Sequence, residues 1–231
     1  MIGKTKQAIF AVVVIAALTF GAVTMTVQDV DASSHWNEID CSQKKSLDSK
    51  GRCVGTPGAD RIRGTPGDDH IMGYGGNDII FGYAGNDQIV GGEGDDEIHG
   101  GKDDDSIKGG DDNDDLHGGP GNDAIEGNLG DDKIHGDSGE DQLWGHNGED
   151  VIFGGTGNDE IYGGNGNDHL VAGDNHHEDP KNNPNLYDVD QIWCDYSWSD
   201  DDYSNNLVYY TYGIDLLFDC ENDKHLWNDN G

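Results

Sequence analysis

From Gly55 to Val171 the sequence repeats every nine residues, thirteen times in succession, with no insertion or deletion. Written in register, GGEGDDEIH (91–99) and GGTGNDEIY (154–162) show the unit most cleanly. Position one is Gly in every copy, and position four is Gly in eleven. Position six is always Asp: Asp60, Asp69, Asp78, Asp87, Asp96, Asp105, Asp114, Asp123, Asp132, Asp141, Asp150, Asp159 and Asp168. Position eight is always Ile or Leu, from Ile62 to Leu170. A fixed period held this long means a solenoid. A unit this short cannot bury an apolar face alone, so it must stack on its neighbours.

Within the unit, positions seven to nine read as outward, inward, outward, the alternation of a three-residue strand with one buried side chain. The six residues before them are rich in Gly, chiefly at positions one, two and four. Glycine permits positive φ and lets carbonyls turn towards a common centre. Asp103 and Asp112 replace the fourth-position Gly in two adjacent copies. Asp tolerates left-handed geometry better than most residues, so these turns should be weakened rather than broken.

Charge narrows the class of partner. The 231 residues carry 47 acidic against 13 basic side chains, a net charge of −34. Nucleic acid and anionic membrane surfaces both need a positive face, and this chain offers none. So acidic a chain, with only 33% apolar residues, would by composition be disordered. The strict period overrules that reading if cations neutralise the acid. Turn carbonyls and the sixth-position carboxylates are hard oxygen ligands, which suit Ca²⁺.

The unit resembles the GGxGxDxUx nonapeptide of the repeats-in-toxin (RTX), or haemolysin-type calcium-binding, family. The resemblance covers about half the chain. It implies an all-β, right-handed parallel β-roll with two nonapeptides per coil and calcium between the turns of successive coils. By the same resemblance the ligands are the thirteen Asp residues and the backbone of the Gly-rich turns at Gly73, Gly76, Gly82, Gly85, Gly91, Gly94, Gly118, Gly121, Gly154, Gly157, Gly163 and Gly166. One departure is an N-terminal export segment, where family members usually carry a C-terminal secretion signal. With two repeats per coil, Asp residues eighteen apart stack at one strand spacing, ~4.8 Å. Each neighbouring pair then repels by roughly 1 kcal/mol in bulk water and more in a lower dielectric. Without cations the array is expected not to fold, so calcium binding and folding should be one cooperative event. The affinity expected is of the extracellular kind, about 10⁻⁴–10⁻³ M.

The flanks read differently. Lys4 and Lys6 precede an uncharged, centrally apolar stretch from Gln7 to Gln28, followed by Val30-Asp31-Ala32. Residues 1–32 therefore read as a signal peptide cut after Ala32, with an uncleaved membrane anchor as the alternative. Either places the remainder outside the cytoplasm, secreted or at the cell surface. Four cysteines in an exported, core-poor chain suggest disulfides. Of three possible pairings the local one, Cys41–Cys53 and Cys194–Cys220, is simplest; zinc would want CxxC-like spacing, which is absent. Residues 33–54 form a polar N-terminal cap anchored by Trp36 and Ile39, with Cys53 in the inward eighth position. Residues 172–231 form a loop and a degenerate C-terminal cap. There the Asp-x-aliphatic pattern echoes at Asp190-Gln191-Ile192, Asn205-Asn206-Leu207 and Asp215-Leu216-Leu217. Aromatics gather in the same region (Trp193, Tyr196, Trp198, Tyr203, Tyr209, Tyr210, Tyr212, Phe218). They fit an end cap, or else a carbohydrate-binding platform.

Two minor columns stand out. His99, His117 and His135 are eighteen apart and should stack on one outer face, as solvated side chains or as ligands for a transition metal. Outward Phe81, Trp144, Phe153 and Tyr162 should pack under terminal segments or form a contact patch. Catalysis finds little support, because no nucleophile motif occurs. An EF-hand reading of Asp111, Asn113 and Asp115 fails at Leu116, where that loop needs glycine. The sequence thus points to a monomeric, secreted, non-enzymatic calcium-binding β-roll with disulfide-linked caps and a structural role. A calcium-dependent adhesin or glycan-binding module is the first alternative, and a small extracellular enzyme in residues 172–231 is the second.

Overall fold

The computed structural model of the chain describes residues 36–173, 191–193, 207–210, 216–218 and 225–228. The nine-residue period becomes a parallel β-solenoid. Three short strands lead in: β1 (Asn37–Asp40), β2 (Cys53–Val54) and β3 (Asp60–Arg63). Strands β4 (His70–Gly75) to β14 (Glu160–Asn165) then recur every nine residues, followed by β15 (His169–Gly173) and β16 (Gln191–Trp193). Three more close the series: β17 (Leu207–Tyr210), β18 (Leu216–Phe218) and β19 (His225–Asn228). Odd-numbered strands make one ten-stranded sheet and even-numbered strands a nine-stranded one. Within the array each residue pairs with the residue eighteen positions on, as Ile107↔Ile125↔Leu143 and Leu116↔Ile134↔Ile152 show. Two repeats therefore make one coil, as the resemblance implied.

The core is a double row of one side chain per repeat. The position-eight residues, Ile62 to Leu170, are 0–1% exposed and form one cluster, joined at its ends by Cys53 and Ile192. Burial of a single aliphatic per nine residues makes a thin core, at roughly 1.5–3 kcal/mol for each side chain. Cys53 pairs with Ile71 in the inward row as expected, and it bonds to Cys41. Ile39 sits opposite Ile62, and Leu47, which the sequence reading passed over, also packs on the core.

The strands are longer than the expected three residues. From β4 to β14 they run six, through positions seven to nine and on through one to three of the next repeat. The backbone beyond the position-one glycine still pairs with the next coil, as Asn128↔His146 and Leu129↔Asn147 do. The two turn glycines also differ in purpose. Position one is not left-handed; at Gly109 a Cβ would stand 2.9 Å from the Gly127 carbonyl oxygen and closer still to Asp114 Oδ2. Close approach, not φ, demands glycine there. Positive φ belongs to positions two and four, where Tyr74, Tyr83, Asn128, Asp137 and His146 adopt it at position two. Asp103 and Asp112 adopt it at position four, with φ of 75° and 76°, so those turns survive the loss of glycine as expected.

The aliphatic ends of all three C-terminal echoes, Ile192, Leu207 and Leu217, lie on strands that extend the two sheets. Ile192 and Leu217 take the expected register, but the middle echo is one residue out: Val208, not Leu207, pairs with Leu170. A one-residue slip moves a strand's side chains to opposite faces. Residues 1–32, expected to be a signal peptide, the expected Cys194–Cys220 bridge and the aromatics Tyr196, Trp198, Tyr203 and Tyr212 lie outside the described residues.

Candidate metal centre

The sixth-position Asp residues form two columns, one at the head of each sheet. Each carboxylate reaches back one coil: the backbone N–H of Asp96 donates to Asp114 Oδ1 at 2.8 Å, and that of Asp114 to Asp132 Oδ1 at 2.9 Å. The same link runs from Asp60 to Asp168 in one column and from Asp69 to Asp159 in the other. The strict spacing of eighteen makes this possible, because each Asp lies beside its counterpart in the neighbouring coil. All thirteen are buried except Asp69, which is partly so.

The second oxygen of each carboxylate is the anomaly. From Asp78 to Asp150, Oδ2 is shielded from solvent and accepts no hydrogen bond. It lies against the position-one glycine of its own repeat, beside the carbonyl of the equivalent glycine one coil on; Gly73, Gly82, Gly91, Gly100 and Gly109 all show this. No lysine or arginine forms an ion pair with these carboxylates among the described residues. A buried charge without partner or cation is expensive. Burial accordingly pushes Asp78, Asp87, Asp96, Asp105 and Asp132 up to about 7, and Asp114 and Asp141 to about 8. Asp123 and Asp150 rise to about 6. The backbone hydrogen bond opposes the rise, and repulsion from neighbouring carboxylates adds less than burial does. Mutual repulsion, expected from the stacking of Asp on Asp, is thus the smaller part of the difficulty, and lost hydration is the larger.

The columns are not uniform. Asp60 Oδ2 accepts from the Thr56 N–H, and Asn37 Nδ2 donates to its Oδ1 at 2.7 Å. Asp69 Oδ2 accepts from the Thr65 N–H. Both belong to GTPG turns, which lack the left-handed second position of later repeats and aim an N–H at the carboxylate instead. Thirteen equivalent Asp residues in the sequence therefore become at least two kinds.

A further ladder escaped the sequence reading. Position five is Asn or Asp in ten copies, and its side chain binds the coil ahead. Asn122 Oδ1 accepts from the Glu140 N–H at 2.8 Å, and Asp104 Oδ1 from the Asn122 N–H at 2.9 Å. The preference for Asn or Asp in that column was the available signal. On the outer faces, position nine stacks as expected: Phe81, His99, His117, His135 and Phe153 form a continuous column with centroids 4.6–5.0 Å apart. Trp144 stacks on Tyr162, and Tyr162 on Trp193 of β16. These outward aromatics pack on their own columns, and among the described residues Tyr162 meets a segment beyond the array. Carboxylates that the sequence reading did not pair with the histidines also accompany them: Glu97 beside His99, Asp115 and Asp137 beside His117.

The family profile described as the RTX calcium-binding nonapeptide repeat matches the chain in four copies, at residues 54–89, 90–125, 117–152 and 144–176. Together they span residues 54–176, which is more than half of the 231. A comparison with curated proteins finds no match.

Proposed function

Since this chain belongs to the RTX calcium-binding nonapeptide repeat family and folds as a β-roll, we propose that its Asp columns hold the calcium ions and that ion binding and folding are a single event. The reading is carried by the row of buried, unpartnered Oδ2 atoms from Asp78 to Asp150. Each faces a glycine where a side chain would fill the space, with a backbone carbonyl alongside. Carboxylate and carbonyl oxygens without soft donors are what Ca²⁺ selects. A bound divalent cation supplies the positive charge that the protein itself does not bring to these carboxylates. The residues present fit the ion.

The same reading assigns residues 55–171 to the calcium-binding array, and 33–54 and 172–231 to its caps. The export segment at 1–32 would deliver the chain unfolded from a calcium-poor cytoplasm to a calcium-rich exterior, where it sets as a structural element. The test is a calcium titration of the metal-free chain followed by far-ultraviolet circular dichroism. A sigmoidal gain of strand signal, reversed by chelation, is expected. Strand content that is complete without calcium would sink the proposal.

A further inference from the structure

A second cluster of ionisable side chains lies on the outer face of the odd-numbered sheet, away from the Asp columns. We propose that Asp115, His117 and His135 form a binding site for one divalent transition-metal ion of the zinc class. One ligand atom from each residue lies within 4.8 Å of the other two. His117 Nε2 stands 3.1 Å from Asp115 Oδ1. That separation is close to the edge of a zinc tetrahedron, roughly 3.3 Å for bonds of about 2.0–2.1 Å. The alternation along a strand produces the pair: positions seven and nine share the outward face, so Asp115 and His117 point the same way while Leu116 between them is buried.

The third ligand comes from the next coil. His135 lies in register with His117, its ring 4.6 Å away and nearly parallel. His99 and His117 each have an acid two residues earlier on the same strand, but His135 has Lys133. Its Nε2 consequently has no hydrogen-bond partner and is shielded from solvent. A turn of this part-exposed ring brings that nitrogen towards the Asp115–His117 pair. The other nitrogen of His117, Nδ1, faces Asp137 Oδ2 at 3.8 Å. A carboxylate behind a ligating imidazole fixes the ring and raises its basicity, a common feature of zinc sites. Lys133 already marks the place as a cation position, since its Nζ lies 3.5 Å from both oxygens of Asp115. A metal ion must displace it. Three protein ligands leave a fourth position for water, an arrangement zinc accepts, and imidazole with carboxylate discriminates such ions from calcium.

The inference rests on the proposed function only through the stacking of coils, which calcium in the Asp columns sets, so the experiment keeps those columns saturated. Zinc is titrated by calorimetry into the full chain in excess calcium, and cobalt(II) serves as an optical probe of coordination. One equivalent of zinc and tetrahedral cobalt bands are expected. Asp115→Asn, and the pair His117→Ala with His135→Ala, should each weaken zinc by at least roughly tenfold, with the strand signal unchanged. Lys133→Ala should tighten it, and His146→Ala should leave it alone. Zinc uptake equal in the double variant and the parent, loss of uptake in His146→Ala instead, or no uptake by the parent would each overturn the assignment.

Discussion

Acidifying the metal-free protein should restore part of its fold, because the Asp columns hold their carboxyls far above the value of a free side chain. From Asp78 to Asp150 the nine carboxyls stand at about 6 to about 8, against 3.8 in the unfolded chain. The folded state therefore binds more protons than the unfolded one between those values. Its stability is greatest below 3.8 and is lost as pH rises through the folded values. A rise of roughly three units costs about 4 kcal/mol per carboxyl once both states are ionised. Even discounted for solvent that relaxes around the column, such a cost repeated over nine groups is of the order of the ~5–15 kcal/mol that holds an ordinary domain together. At pH 5 the same groups cost less than half as much each. Strand signal from chain stripped of metal should accordingly be small at pH 7.5 and grow as the pH is lowered to 5. Calcium at pH 7.5 should reproduce the same spectrum. A metal-free chain already folded at pH 7.5, or one with no change in strand content down to pH 5, would refute the reasoning.

Asp114→Asn should lower the number of calcium ions bound, measured by equilibrium dialysis, whereas Asp60→Asn should not, because Thr56 and Asn37 already occupy both oxygens of Asp60. Tyr74 is held at φ 83° with 47% of its surface exposed; Tyr74→Gly should raise the urea stability of the calcium-loaded protein by about 1 kcal/mol, and a loss would contradict the strain. Replacing Cys41 and Cys53 by Ser opens a loop of sequence separation 12 and should reduce that stability by about 3 kcal/mol. Asn122→Ala removes the acceptor for the Glu140 N–H and should cost about 1 kcal/mol in the same assay.

The nine-residue period alone determined the solenoid, the inward Ile and Leu rows, and the stacking of Asp on Asp and of His on His. Each follows from local rules, since a repeat that fixes one coil fixes all of them. What the period could not carry was everything that depends on which atom meets which across coils. Only the tertiary structure showed that the position-one glycine yields space to a carboxylate, that position five is a second ladder, and that Val208 displaces Leu207 in register. The split among the Asp residues has the same origin: Asp60 and Asp114 occupy one column in the sequence, but the GTPG turn turns an N–H onto the first and leaves the second bare. A column of identical letters records chemistry held in common. The direction of a backbone N–H or of a carboxylate's second oxygen is set by the turn conformation around it, and that is decided in three dimensions.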